Sequence, residues 1–205
     1  MVSEQNSKFA PAGFGLGTLS REINSPDELD SLVVNCNFLF AGGDDSINIG
    51  GIYNVRYGYG RVDTYDGGYC MQTLIPVSPT ISSTLVRYKS SYDLIWGEWE
   101  WVNPPMQSGV EYRTTERWLG KPVYVKTLDV GYVGIGMTTK HHNIQMTQCL
   151  SCLGFESGND TMPAKYDDSS IDVYKNIYAN NTQIIIYSNT DSNRYTHCTL
   201  KYTKD

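Results

Sequence analysis

The sequence predicts a mainly β chain: a small α+β module with one short helix, followed by an antiparallel β-sandwich. Three observations predict it. The 205 residues include 16 Tyr and 19 Gly, and Thr and Val are common while Ala is scarce; aromatic and β-branched residues with little Ala favour strands. A helix start signal occurs clearly once. Short alternating runs separated by turn residues then recur to the C-terminus, the pattern of a sandwich.

In chain order, residues 1–10 form a polar N-terminal segment. Phe9 to Gly17 then alternates apolar residues with Gly and Pro, an irregular lead-in. Ser25 is an N-cap, Pro26 suits the first helical position, and Glu28 closes a capping box with Ser25. Leu29, Leu32 and Val33 share one face, so a helix is expected over Pro26–Val34, ended by Asn35-Cys36-Asn37. Strands are expected within Gly50–Val55, Tyr69–Val77, Thr84–Tyr88 and Trp99–Val102, the second entered from a Gly67-Gly68 turn.

Asn103-Pro104-Pro105 marks the domain boundary, because two prolines cannot continue a ladder. This gives domains 11–103 and 107–205. In the second, strands are expected at Pro122–Val130, Gln145–Phe155, Ser170–Tyr174, Gln183–Tyr187 and Thr196–Thr203. Along the last, Cys198, Leu200 and Tyr202 fall on one face and His197, Thr199 and Lys201 on the other. Gly158-Asn159-Asp160, Asn180-Asn181 and Asp191-Ser192-Asn193 read as turns.

Composition excludes some functions. The net charge is −6 and the cations are scattered singly. Nucleic-acid binding, which needs a concentrated positive field, is not expected. The N-terminus lacks the apolar core of a signal peptide, and no apolar run approaches the roughly 20 residues of a membrane span. Cys36, Cys70, Cys149, Cys152 and Cys198 are odd in number and irregular in spacing. They read as small buried thiols of a chain folded in a reducing compartment.

The main candidate ligand-binding residues are Tyr57, Tyr59, Arg61, Asp63 and Tyr65, with Asp66 and Tyr69 beside them in a Gly-rich stretch. Exposed aromatic faces stack on the C–H faces of sugars, and neighbouring carboxylate and guanidinium groups bond hydroxyls. Tyr supplies that contact area at low entropy cost. The bland alternative is a Gly-rich hairpin with Tyr on its strand faces.

Four other groups read more simply as structure. Trp96, Trp99 and Trp101 suit core or inter-domain packing, with Trp99 and Trp101 on one strand face and Trp96 on the other if the strand reaches that far. Cys149-Leu150-Ser151-Cys152 has metal or redox spacing. In a regular strand, however, i and i+3 point to opposite faces, and no second ligand pair is present. His141 and His142 diverge in a strand, and His197 is distant, so no metal site is expected. Asp44-Asp45 and Asp167-Asp168 with Asp172 fit turn chemistry better than a glycosidase pair. The sequence carries no nucleophile elbow, P-loop or dinucleotide fingerprint. No catalytic residue and no cofactor are expected.

Two segments resemble known families. From Pro11 to Val102 the order is lead-in, the helix with Leu29-Asp30-Ser31-Leu32, Gly51-Ile52-Tyr53, Met71 to Val77, Leu85-Val86-Arg87-Tyr88, then Trp96, Trp99 and Trp101. This resembles the knob domain of pyocin and phage tail-fibre proteins. From Val102 onward, Glu111-Tyr112-Arg113-Thr114-Thr115-Glu116-Arg117-Trp118, Gly120-Lys121-Pro122-Val123-Tyr124-Val125-Lys126 and Leu200-Lys201-Tyr202-Thr203-Lys204 stand in order. This resembles the C-terminal domain of tail-fibre and minor structural proteins from phages and prophages of Gram-positive gut bacteria.

The resemblance implies a homotrimeric fibre tip, joined to upstream tail-fibre or baseplate components. It would attach to a bacterial cell-surface glycan or teichoic acid without inserting in the membrane. It also implies location on a virion tail or tail-like particle, made in the cytoplasm and released by lysis. Members often carry longer chains with shaft regions upstream, so a C-terminal fragment is one expectation. The segments around His141-His142-Asn143, Gly154–Asp172, Asp44-Asp45 and Tyr57–Tyr69 depart from any fixed motif, which leaves the ligand open. The rivals are a surface-polysaccharide depolymerase (a glycoside hydrolase) and a structural trimerisation cap that binds nothing.

Overall fold

The structure, a computed structural model, describes residues 21–43, 46–49, 53–65, 68–77, 83–90, 95–157, 161–162, 164–168, 171–189 and 194–205. The expected lead-in, Asp44-Asp45, Gly50–Ile52, Asp66-Gly67 and the turns at 158–160 and 191–193 lie outside the described residues. The chain is mainly β and divides into two compact units, Met1–Pro105 and Met106–Asp205.

The first unit contains β1 (Arg21–Ile23), α1 (Pro26–Ser31), β2 (Cys36–Ala41), β3 (Ile47–Ile49), β4 (Tyr53–Val55), β5 (Tyr57–Thr64), β6 (Cys70–Pro76), β7 (Leu85–Lys89) and β8 (Glu100–Trp101). β1 pairs parallel to β2, and the pairs β2–β5, β5–β6, β6–β7 and β7–β8 are antiparallel. β3 and β4 form a separate hairpin. One sheet face is the core: Phe38, Phe40, Val62, Leu74, Leu85 and Trp101 are all buried there, together with Leu29 and Leu32 from the α1 side.

The helix starts as its capping signal requires. The Ser25 hydroxyl accepts from Glu28 N at 3.2 Å, and the Glu28 carboxylate accepts from Asn24 N at 2.8 Å. It ends at Ser31, short of the expected Val34. Leu32 is already extended, and its N–H closes a tight turn on Leu29 O. The buried Gln72 side chain donates to Leu29 O and Leu32 O at 2.8 and 3.0 Å. Those carbonyls, which a longer helix would use, are satisfied from the sheet.

Asn35 therefore does not end a helix; it leads into β2. Its side chain exchanges hydrogen bonds with the Thr64 backbone. Gln72 also accepts from Arg87 Nε at 2.9 Å, and Arg87 reaches Asp30 at 2.5 Å. The Arg87 guanidinium stands 4.7 Å from the Trp96 ring and 4.5 Å from the Trp99 ring. Trp96 and Trp99 thus both reach one cation, and the strand, only Glu100–Trp101, does not extend to Trp96. Trp101 is buried in the core.

The second unit holds β9 (Glu111–Trp118), β10 (Lys121–Val133), β11 (Gly136–His141), β12 (Gln148–Glu156), β13 (Thr161–Met162), β14 (Ala164–Asp168), β15 (Ile171–Ala179), β16 (Gln183–Ser188) and β17 (Arg194–Thr203). One sheet runs β9-β10-β17-β12-β13 and the other β11-β16-β15-β14. Val133 and Ile144, Met162 of β13, Ile177 of β15, Ile184 and Ile186 of β16, and Cys198, Leu200 and Tyr202 of β17 share one core, so the two sheets form a sandwich.

The alternation expected along β17 is present: Cys198, Leu200 and Tyr202 are fully buried. Between the sheets, the Glu156 carboxylate takes two 2.6 Å hydrogen bonds from the buried Lys175 ammonium. Asp172 lies in β15, within the strand expected at 170–174, while Asp167 and Asp168 correct the turn expectation by closing β14, with Asp167 opposite Asp172.

Candidate functional site

Strand β5 reads Tyr-Gly-Tyr-Gly-Arg-Val-Asp-Thr, and its alternation decides which side chains meet solvent. Gly58, Gly60 and Val62 face the core. A Cβ on Gly60 would fall 2.0 Å from the end of the buried Phe38 ring, and one on Gly58 would fall 2.7 Å from Leu74 Cδ1. The core packs against bare backbone there, so Tyr57, Tyr59, Arg61 and Asp63 must occupy the outer face.

These four side chains form a row that spans roughly 20 Å at about 3.4 Å per residue. Tyr57 is 53% exposed and Tyr59 60%. Arg61 Nε donates to Asp63 at 2.7 Å, which orients the carboxylate along the row. An ion pair this exposed contributes about 0–1 kcal/mol to stability and serves mainly to fix geometry. Tyr65 lies past the strand end, in the hairpin where Tyr65 N bonds Tyr69 O. It is well exposed but stands outside the row.

Strand register brings in residues that the sequence did not connect to this row. Tyr59 stands between Leu39 of β2 and Ile75 of β6. Arg61 stands between Asn37 and Thr73. Asp63, Met71 and Tyr88 form one cross-strand line through β5, β6 and β7. At that end a pocket of about 340 Å³ is lined by Asp63, Tyr69, Met71, Tyr88, Lys89 and Ser90, with Cys70 beneath. Tyr69 and Tyr88 present half-exposed rings. The Lys89 ammonium lies 5.8 Å from the Trp96 ring, and no carboxylate pairs with it among the described residues. The outer face thus combines four aromatic rings, aliphatic side chains, one carboxylate and the Arg61 cation around a shallow concavity, while Lys89, opposite Cys70, reaches toward Trp96 on the other side. Such a surface can stack on sugar rings and bond their hydroxyls.

Other candidate groups take structural positions. His142 is buried, with Nε2 bonded to Asn180 O at 2.9 Å and Nδ1 accepting from Ile144 N at 3.1 Å, the pattern of a neutral core imidazole. His141 points outward to Gln183. Among the described residues no three His, Cys, Asp or Glu side chains gather as a metal site.

The cysteines of 149–152 correct the strand expectation. Cys149 is opposite Tyr202 and Cys152 is opposite Leu200, with the register shifted between Cys149 and Ser151. This bulge inserts one extra residue, so both thiols turn toward the core. None of the five cysteines forms a disulfide in this structure.

At the β9 end of the sandwich, Glu111 accepts from the Tyr202 hydroxyl and the Lys204 ammonium. Burial pushes the Glu111 carboxyl up, but those hydrogen bonds and the Lys204 charge outweigh it and hold the group below its ordinary range. Burial and the Glu111 carboxylate push the Tyr202 phenol well up.

No family model and no curated protein match the chain. Among solved structures it is similar to an N-truncated R2-type pyocin tail fibre, at 11% identity, covering 90% of this chain and 95% of that one, with a TM-score of 0.29. It is also similar to the C-terminal part of the P. aeruginosa R2 pyocin fibre, at 10% identity, 95% and 70% coverage and a TM-score of 0.34. The C-terminal part of the P. aeruginosa R1 pyocin fibre gives 13% identity, 89% and 66% coverage and a TM-score of 0.28. These scores lie below that of a shared fold.

Proposed function

We propose that this chain is the host-facing end of a phage tail fibre, or of a related phage-tail-like particle, and that the outer face of its first sheet binds a bacterial cell-surface glycan. The observation that carries the binding reading is the row Tyr57, Tyr59, Arg61 and Asp63, continued through Met71 to Tyr88 at the pocket. The fibre reading is supported by the resemblances of the two segments, and with it come a homotrimer, attachment to upstream tail components and release by lysis. Recognition of this kind needs no catalytic group, and the chain acts as a binder and not an enzyme. Each site can be weak, because three copies per fibre and several fibres per particle raise avidity by about 10²–10⁴.

The test uses labelled protein on a panel of bacterial strains and on their purified envelope polysaccharides. Decoration of some strains and not their relatives is expected, and it is expected to be lost in the Tyr59→Ala, Tyr88→Ala double variant. Both rings are at least half exposed, so the melting temperature should stay within a few degrees. Undiminished decoration by that variant would move the site off this face. Reducing ends released from the polysaccharide on prolonged incubation would mean a depolymerase instead.

A further inference from the structure

Three of the five thiols face the core of the second unit. The bulge in β12 turns Cys149 and Cys152 inward, and Cys198 of β17 faces the same way. Cys152 Sγ and Cys198 Sγ are 3.5 Å apart. Their positions are diagonal across the pair, since Cys152 is opposite Leu200 and Cys198 is opposite Gly154. Cys198 is fully buried, whereas Cys152 is partly exposed.

We propose that Cys152 and Cys198 are a covalent modification site: they form a disulfide across β12 and β17 when the folded chain meets a low-molecular-weight disulfide outside a reducing compartment. The sulfurs need to close from 3.5 Å to about 2.05 Å, within reach of side-chain rotation and a small strand adjustment. The Cys152 thiolate attacks one sulfur of the external disulfide, forms a mixed disulfide and releases one thiolate. That thiolate takes the Cys198 proton. Cys198 Sγ then attacks Cys152 Sγ and expels the second small thiolate, which is protonated from water by the proton Cys152 gave up. Two protein thiols lose two electrons, and the external disulfide becomes two thiols.

The order of attack suits the site. A hydrogen bond from Cys198 holds the Cys152 thiol below its ordinary value, whereas that bond and burial push Cys198 well above it. Burial also pushes up Cys149, the third thiol. The bridge closes a loop of 46 sequence positions that contains β13, β14, β15 and β16. It ties the four-stranded sheet's return path to the sheet that carries β12 and β17. This inference does not depend on the glycan reading.

The test takes the full chain, reduced and then incubated with oxidised glutathione. Intact mass should fall by two hydrogens, and alkylation after denaturation should label three cysteines instead of five. Peptide mapping should find Cys152 joined to Cys198. The melting temperature should rise by several degrees and return on reduction, because the cross-link restricts the unfolded chain. Cys149→Ser should keep the bridge and the shift; Cys152→Ser should lose both. Should Cys152→Ser fail to fold, the mapping of the unsubstituted chain decides alone. Five alkylated cysteines, a persistent glutathione adduct, or a bridge mapped to Cys149 and Cys152 would each overturn the assignment.

Discussion

Replacing Gly60 by Ala tests the packing that puts the tyrosine row on the outer face. The new Cβ would stand 2.0, 2.4 and 2.6 Å from three atoms of the Phe38 ring. Carbon atoms rest at about 3.5–4.0 Å, so the overlap is roughly 1.5 Å. Phe38 is buried, and its ring is a stiff plate that cannot fold away from the contact. Overpacking of this kind typically costs about 1–3 kcal/mol. The gain from removing a flexible glycine in a strand offsets about 0.5–1 kcal/mol. An overlap this deep falls at the upper end of that range, so a net loss of about 2 kcal/mol is expected, or roughly 8–16 °C in melting temperature for a unit of this size. The assay is urea and thermal unfolding followed by circular dichroism and Trp fluorescence. Phe38→Leu in the Gly60→Ala background should recover part of the loss, since a shorter side chain frees the space. A Gly60→Ala protein as stable as the parent, or more so, would refute the packing and with it the reason that Tyr57 and Tyr59 face solvent.

Three other outcomes follow from particular contacts. Arg87→Ala removes the cation between Trp96 and Trp99 and leaves buried Gln72 short of a partner, so a loss of about 2–4 kcal/mol is expected in denaturant titration; Arg87→Lys should not restore it, because an ammonium cannot reproduce the planar stack and fork. Leu119 sits at φ 49°, before Gly120 at φ 81°, in the turn joining β9 and β10, and its side chain is 87% exposed; Leu119→Asn should raise stability by about 1 kcal/mol in thermal melts, since Asn tolerates this conformation and no packing is lost. Glu111 has a depressed carboxyl in the folded chain, so its contribution is present above the unfolded value of about 4.3 and fades as pH falls through the lower folded value. Glu111→Gln should therefore lower the melting temperature at pH 7 by the equivalent of about 1 kcal/mol, the group being only half-buried, with the gap narrowing in acid; an equal gap across the range would count against the ion pair.

Local signals in the sequence determined a good deal of this chain. The Ser25 cap and Glu28 set the helix start because capping needs only residues within one turn. Alternation along Thr196–Thr203 set which side of β17 is buried because the strand period is two wherever one face meets a core. The Tyr-Gly alternation of residues 57–60 likewise carried its own face assignment once the segment is a strand. The tertiary structure decided the rest. Cys36–Ala41 is a strand through pairing with Tyr57–Thr64, which no short window of sequence contains. Gln72 stopped α1 early, from 40 and more positions away. A single inserted residue at the Cys149–Ser151 bulge reversed the facing expected for Cys152 and set it beside Cys198. The pocket beside Asp63 exists only because register aligns Met71 and Tyr88 with it. Period and capping are properties of neighbours along the chain, while register, bulges and pocket walls depend on which distant strands come together, and that is fixed by the packing of the whole unit.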